Sequence, residues 1–172
     1  MSKAQVAILM GSKTDMPVME EAANVLQEFD VAYEMKVLSA HRTPLETAEY
    51  AQKAAQRGIK IFLCGAGGAA ALAGVVAAHA ILPVIGVPVD STSLNGIDSL
   101  LSTVQMPPGV PVATVAIGRM GAKNAAFLAL RILGLSDKSV EDRLVKYREK
   151  QRREILEMAV NQRGSRKRKQ KS

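Results

Sequence analysis

Residues 38–44 read LSAHRTP and hold His41, one of only two histidines among 172 residues. An imidazole exchanges protons near neutral pH, whereas the adjacent Arg42 stays charged and favours phosphate or carboxylate. Side by side, the pair points to proton transfer beside an anion site. Thr43-Pro44-Leu45-Glu46 has the form of a capping box, with Thr at the N-cap, Pro at the first helical position and Glu three residues on. That places His41 and Arg42 at the positive end of a helix, where a cation is electrostatically misplaced unless an anion offsets it. A hydrogen-bonded loop histidine remains the plain alternative for His41 alone.

Two further loops offer ligand-binding chemistry. GSKTD at 11–15 combines Gly11, which permits close backbone approach, the hydroxyls of Ser12 and Thr14, and Asp15 ahead of a helix whose first N–H groups suit an anion. Asp15 could equally do no more than cap that helix. GAGGAAALAG at 65–74 is a glycine-rich strand-to-helix junction, through Gly65, Ala66, Gly67 and Gly68, of the kind that lets a ligand approach the backbone. It matches the dinucleotide pattern G-x-G-x-x-G/A, with Asp90 about 25 residues on as a ribose ligand, but that fingerprint normally follows the first strand. A dinucleotide site would leave GSKTD and HRTP unexplained.

Apolar runs alternate with helical patterns and so specify the scaffold for these loops. Strands are expected near 5–11, 32–38, 59–64, 84–88 and 111–117. Helices are expected near 16–29, 44–57, 68–81, 95–104, 121–134 and 138–159. In the first helix Val18, Ala22, Val25, Leu26 and Phe29 share one face. This alternation predicts an α/β protein: a three-layer, doubly wound parallel sheet of flavodoxin-like order 2-1-3-4-5 with a C-terminal helix. In such sheets ligands bind beyond the carboxyl ends of the strands, so the loops after strands one, two and three should converge.

Residues 1–160 are expected to form a single catalytic domain and 161–172 a basic, disordered tail. The net charge of +7 invites a nucleic-acid reading. Six of the 23 basic residues, however, lie from Arg163 onward, leaving 17 against 16 acidic ones in the body. A short like-charged terminus is normally solvated, and three Phe, three Tyr and no Trp make a poor base-stacking platform. Nucleic acid is therefore not the expected partner. No apolar stretch reaches the length needed to span a bilayer and no leader is evident, so a soluble, cytoplasmic protein is expected. One cysteine and two distant histidines argue against a disulfide or a metal site.

Other doubly wound functions lack their residues. A phosphoacceptor receiver needs an acid after strand three, which ends here in glycine; a flavin would want aromatic partners; no GxxxxGK[ST] loop occurs. His79 is expected to be a satisfied buried or interface histidine and Cys64 a core residue. QMPPG at 105–109 suits a shaped loop over a site. The helices at 68–82 and 125–133 show little polar face, which points to a homo-oligomer.

In order, GSKTD, SAHRTP, GAGGAA, GVPVDSTSLNGIDSLLSTVQMPPGVPV and GAKNAAFLA closely resemble the N5-carboxyaminoimidazole ribonucleotide mutases of bacterial purine biosynthesis, over roughly residues 5–158. The resemblance implies a small-molecule nucleotide substrate, no metal or nucleotide cofactor, and an octamer. It implies transfer of a carboxylate from the exocyclic nitrogen of an aminoimidazole ribonucleotide to ring carbon 4, with His41 as general acid and base. By the same resemblance Arg42 and Ser12 hold the phosphate and Asp15 the ribose, Ser39 and Gly11 complete the binding loops, and residues 65–68 admit the ring and CO2. The 105–109 loop would help to exclude water. Where that family commonly reads GGAAHLPG, this chain has Ala71 and Ala73 at the His and Pro positions. A related branch that carboxylates aminoimidazole ribonucleotide directly with CO2 also lacks that histidine.

Overall fold

The computed structural model describes residues 3–168, with side chains to residue 158. Five strands, β1 (Val6–Met10), β2 (Tyr33–Val37), β3 (Ile61–Gly67), β4 (Val84–Val89) and β5 (Ala113–Thr114), form one all-parallel sheet in the order 2-1-3-4-5. The helices are α1 (Met16–Glu28), α2 (Pro44–Arg57), α3 (Leu72–His79), α4 (Ile97–Val104), α5 (Gly118–Gly134) and α6 (Lys138–Arg168). A short 3-10 turn, Lys13–Asp15, precedes α1.

The central strands are continuous apolar runs because both faces of the sheet are covered. All five residues of β1 are fully buried, as are Ile61, Phe62 and Leu63 of β3. One side of the core joins Ala7, Leu9 and Phe62 to Tyr50 and Ala54 of α2 and to Leu72 and Val76 of α3. On α1, Met19, Ala22 and Leu26 are fully buried, and Phe29 meets Phe127 of α5 edge-to-face at 5.7 Å. Gly58 ends α2 in the left-handed region at φ 100°, which only glycine adopts without strain.

Register positions the site. Met10 pairs with Val37 on one side and with Gly65 on the other. The carboxyl ends of β1 and β2 therefore lie level, with β3 running two residues past them, and the loops that follow emerge side by side. Two backbone bonds hold them so: Gly11 N–H donates to Gly65 O at 3.2 Å, and Leu38 N–H to Met10 O at 2.9 Å.

The differences from the sequence pattern are local. β3 runs on to Gly67, because Ala66 and Gly67 still pair with Pro88 and Val89. Gly68 (φ 61°) and Ala70 (φ 41°) then turn the chain, delaying α3 until Leu72 rather than 68. β5 shrinks from the expected 111–117 to two residues: it is an edge strand paired only to Ile85 and Gly86, and Pro111 has no N–H to donate.

Residues up to Leu130 form one compact unit and those from Arg131 a second. α6 continues past residue 159 to Arg168, so part of the segment expected as a basic tail is helical, while 169–172 lie outside the described residues. No helix among the described residues is long and apolar enough to cross a membrane.

Candidate active site

The three loops enclose a cavity of about 330 Å³ at the carboxyl end of the sheet. Gly11, Ser12 and Asp15 enter it from the β1 loop, Ser39, His41 and Arg42 from the β2 loop, and Ala66, Gly67 and Ala71 from the β3 loop. Sequence spacing thus brought eight of the expected residues together: Gly11, Ser12, Asp15, Ser39, His41, Arg42, Ala66 and Gly67. Gly65 and Gly68 stand apart from the lining. A Cβ on Gly65 would lie 2.4 Å from Met19 Sδ, so its glycine serves the packing of α1. Gly68 supplies the turn.

The SAHRT segment folds on itself through its hydroxyls. Ser39 N–H donates to Thr43 Oγ1 at 2.9 Å, and Thr43 Oγ1 to Ser39 O at 3.1 Å. Arg42 N–H donates to Ser39 Oγ at 3.2 Å, and Thr47 Oγ1 to Thr43 O at 2.8 Å. The capping box expected at Thr43 and Glu46 is absent, because the Thr43 hydroxyl turns back to Ser39 and makes no cap to α2. The reciprocal arrangement occurs at Ser12 instead. Ser12 Oγ accepts from Thr14 N–H at 3.3 Å and from the Thr14 hydroxyl at 2.9 Å, while Asp15 Oδ2 accepts Ser12 N–H at 3.0 Å.

This network frames three candidate side chains. Arg42 donates from Nη2 to Gly11 O at 2.7 Å, tying the β2 loop to the β1 loop. His41 is exposed on the cavity wall, and its ring makes no hydrogen bond within the described residues. It is therefore not a loop histidine spent on structure; both ring nitrogens are open to a ligand. Asp15 is buried yet reaches the cavity and makes no side-chain cap to α1.

Burial raises the Asp15 carboxyl above its ordinary value; the Ser12 N–H, the Thr14 hydroxyl, the Arg42 charge and the Gly11 N–H pull the other way without cancelling it. A raised folded-state value means that the folded protein binds the proton more readily than the unfolded chain. This contribution to stability is full below the unfolded value and is lost as pH rises through the folded one. Asp15→Asn keeps an acceptor for Ser12 N–H and removes the buried charge. Its stability relative to the parent, from urea unfolding, should be greater at pH 7 than at pH 3. An equal difference at both pH values would contradict a burial-raised carboxyl.

Ala71, at the position where the commoner mutase pattern has His, lies on the wall; Ser91 lies there too and was not anticipated. Ser91 directly follows the β4 region, and the signal for it is its place at another strand's carboxyl end. A Cβ on Gly67 would sit 1.8 Å from Ser91 Oγ, so glycine is needed for this approach. Asp90 is outside the lining; its carboxylate lies beside Gly118 at the start of α5. The 105–109 loop, expected over the site, packs Met106 against Gly74 of α3 and does not line this cavity. His79 is exposed at the end of α3, 3.5 Å from Gln52, rather than buried. Cys64 is buried as expected, and burial pushes its thiol up. No group of three or more His, Cys, Asp or Glu poised for a metal ion is found among the described residues.

The family described as AIR carboxylase matches residues 5–154. The chain belongs to that family. It is 60% identical over 149 residues to the N5-carboxyaminoimidazole ribonucleotide mutase of Pyrococcus abyssi, covering 87% of this chain and 84% of the relative. It is 54% identical to the Bacillus subtilis protein of the same name, covering 88% and 94%. Among solved structures, Treponema denticola PurE superposes with a TM-score of 0.81 at 34% identity, covering 90% of this chain and 95% of that one.

Proposed function

We propose that the protein acts in de novo purine biosynthesis, converting N5-carboxyaminoimidazole ribonucleotide to 4-carboxyaminoimidazole ribonucleotide, and that residues 1–160 work as one catalytic domain. The observation that carries the reading is the convergence of an unbonded histidine, a loop-tethered arginine and a glycine-lined wall in one cavity. The mutase names of the relatives support the substrate.

In this reading Arg42 and the Ser12 hydroxyl take the phosphate. Ser12 Oγ already accepts two bonds, so its own proton is free to be donated. Asp15 accepts from ribose hydroxyls, Ser39 and Gly11 shape the floor, and Ala66 and Gly67 of the glycine loop give the flat ring and CO2 close approach to backbone. His41 as imidazolium protonates the exocyclic nitrogen while the N–CO2 bond breaks. Carbon 4 then attacks the held CO2, and neutral His41 removes the carbon-4 proton. One proton leaves the histidine and one returns, so the isomerisation balances without a cofactor.

We further propose a cytoplasmic homo-oligomer, an octamer. The support is apolar surface left open on one chain: Ile97, Leu101 and Val104 are each about half exposed at helical spacing along α4, Leu94 is exposed in the turn before it, and Ile81 is fully exposed after α3. Light scattering should give the mass of eight chains; a monomer at micromolar concentration would contradict the proposal.

The contrasting reading is a nucleic-acid binder acting through its basic terminus. Truncation after Gln162 should leave formation of 4-carboxyaminoimidazole ribonucleotide, followed by ultraviolet absorbance, unchanged within about twofold. Loss of an RNA affinity that collapses with salt, with no turnover in either form, would favour the binder instead.

A further inference from the structure

A second cavity of about 350 Å³ lies against the first and shares Gly11, Ser12, Ser39 and Arg42 with it. Its own walls are Lys13, Val37 and Thr43. Ser12 and Arg42 therefore form a partition with open space on both sides. Only the first cavity contains His41, Asp15 and the glycine loop.

The second cavity is strongly donor-rich. Lys13 is exposed and forms no ion pair within the described residues, and neither does Arg42. The Arg42 charge acts on Asp15, but Lys13 has no such partner. The hydroxyls point the same way. Ser12 Oγ accepts from Thr14, and Ser39 Oγ accepts from Arg42 N–H and, at 3.4 Å, from Nε–H, so each retains a proton to donate. Two cations and two free O–H donors around one space, with no acid on its wall, match an anion of charge near two.

Resting on the nucleotide reading above, we infer that Lys13 is a second phosphate-binding residue, and that the 5′-phosphate monoester sits in the outer cavity between Lys13 and Arg42. The ribose then crosses the Ser12–Arg42 partition and the ring reaches His41. A phosphate monoester carries roughly −1.5 to −2 at pH 7, so Arg42 alone would leave about half of that charge unmatched. Lys13 supplies the missing cation and confers preference for the terminal dianion over an uncharged or singly charged group.

The test is isothermal titration of the full-length protein with ribose 5-phosphate, which needs no turnover. Lys13→Gln should raise Kd by about tenfold, the size of one exposed charge-assisted contact, and Lys13→Arg should restore it to within about twofold. The salt dependence of binding should weaken in the Gln variant alone. The Lys13 side chain makes no hydrogen bond or ion pair among the described residues, so both variants are expected to melt with the parent. An unchanged Kd in Lys13→Gln, or no binding of ribose 5-phosphate to the parent, would overturn the inference. Turnover of the N5-carboxylated nucleotide by the parent, measured alongside, separates the two claims. Turnover with an unchanged Kd removes only the role of Lys13; a raised Kd without turnover supports Lys13 and removes only the reaction.

Discussion

His41→Asn should lower kcat by about 10³-fold, within the roughly 10²–10⁴ that a positioned general acid–base contributes, while leaving nucleotide affinity within a few-fold. Asparagine can still hydrogen-bond but cannot give up and retake a proton. Because the His41 ring has no hydrogen-bond partner among the described residues and is exposed on the cavity wall, the substitution breaks no structural bond seen there. The melting temperature should therefore stay with the parent. Steady-state rates and an equilibrium titration on the same preparation read both quantities. A loss of affinity as large as the loss of rate would place His41 in binding rather than in proton transfer.

Arg42→Ala should weaken binding of the phosphorylated ligand by about 10- to 100-fold, the range of a lost charge-assisted hydrogen-bond pair, and change affinity for the dephosphorylated nucleoside little. The side chain also bonds Gly11 O and, more weakly, Ser39 Oγ, so its removal slackens the join between the β1 and β2 loops. Arg42→Lys separates the two roles. It keeps the charge but not the planar fork, and should recover part of the phosphate affinity. Equal losses for nucleotide and nucleoside would mean that Arg42 shapes the cavity without meeting the phosphate.

Much of this arrangement is legible in the chain because parallel sheets are governed by few rules. Alternating apolar runs and helical faces predicted five strands in the order 2-1-3-4-5, which is the order found. From that order alone, GSKTD, SAHRTP and GAGGAA had to meet at the carboxyl ends of adjacent strands. Details that depend on hydroxyl competition were not legible. Thr43 has the spacing of a capping box, yet its Oγ1 exchanges bonds with the Ser39 backbone four residues earlier. A pattern cannot show which of two nearby amides a threonine will choose. Gly65 looked like a ligand glycine from its motif, but its missing side chain makes room for Met19 from a different element. Ser91 escaped notice because β4 follows the three motif-bearing strands and its loop has no glycine signature. The shortened β5 reflects edge pairing, which apolar content does not report.

Ala71 and Ala73, at the His and Pro positions of the commoner mutase pattern, now differ in meaning. Ala73 is buried in the core beside Gly86 and is not part of the lining. Ala71 lies on the cavity wall, so of the two only Ala71 would face a ligand held there. A methyl at this point neither donates nor accepts a proton, which leaves His41 as the sole imidazole on the wall.

Initial rates of 4-carboxyaminoimidazole ribonucleotide formation from two starting materials separate the mutase reaction from direct carboxylation. One reaction contains freshly made N5-carboxyaminoimidazole ribonucleotide at low free CO2. The other contains aminoimidazole ribonucleotide with bicarbonate and carbonic anhydrase. A mutase turns over the N5-carboxylated nucleotide faster; turnover of only the second mixture would contradict that function and make free CO2 the substrate.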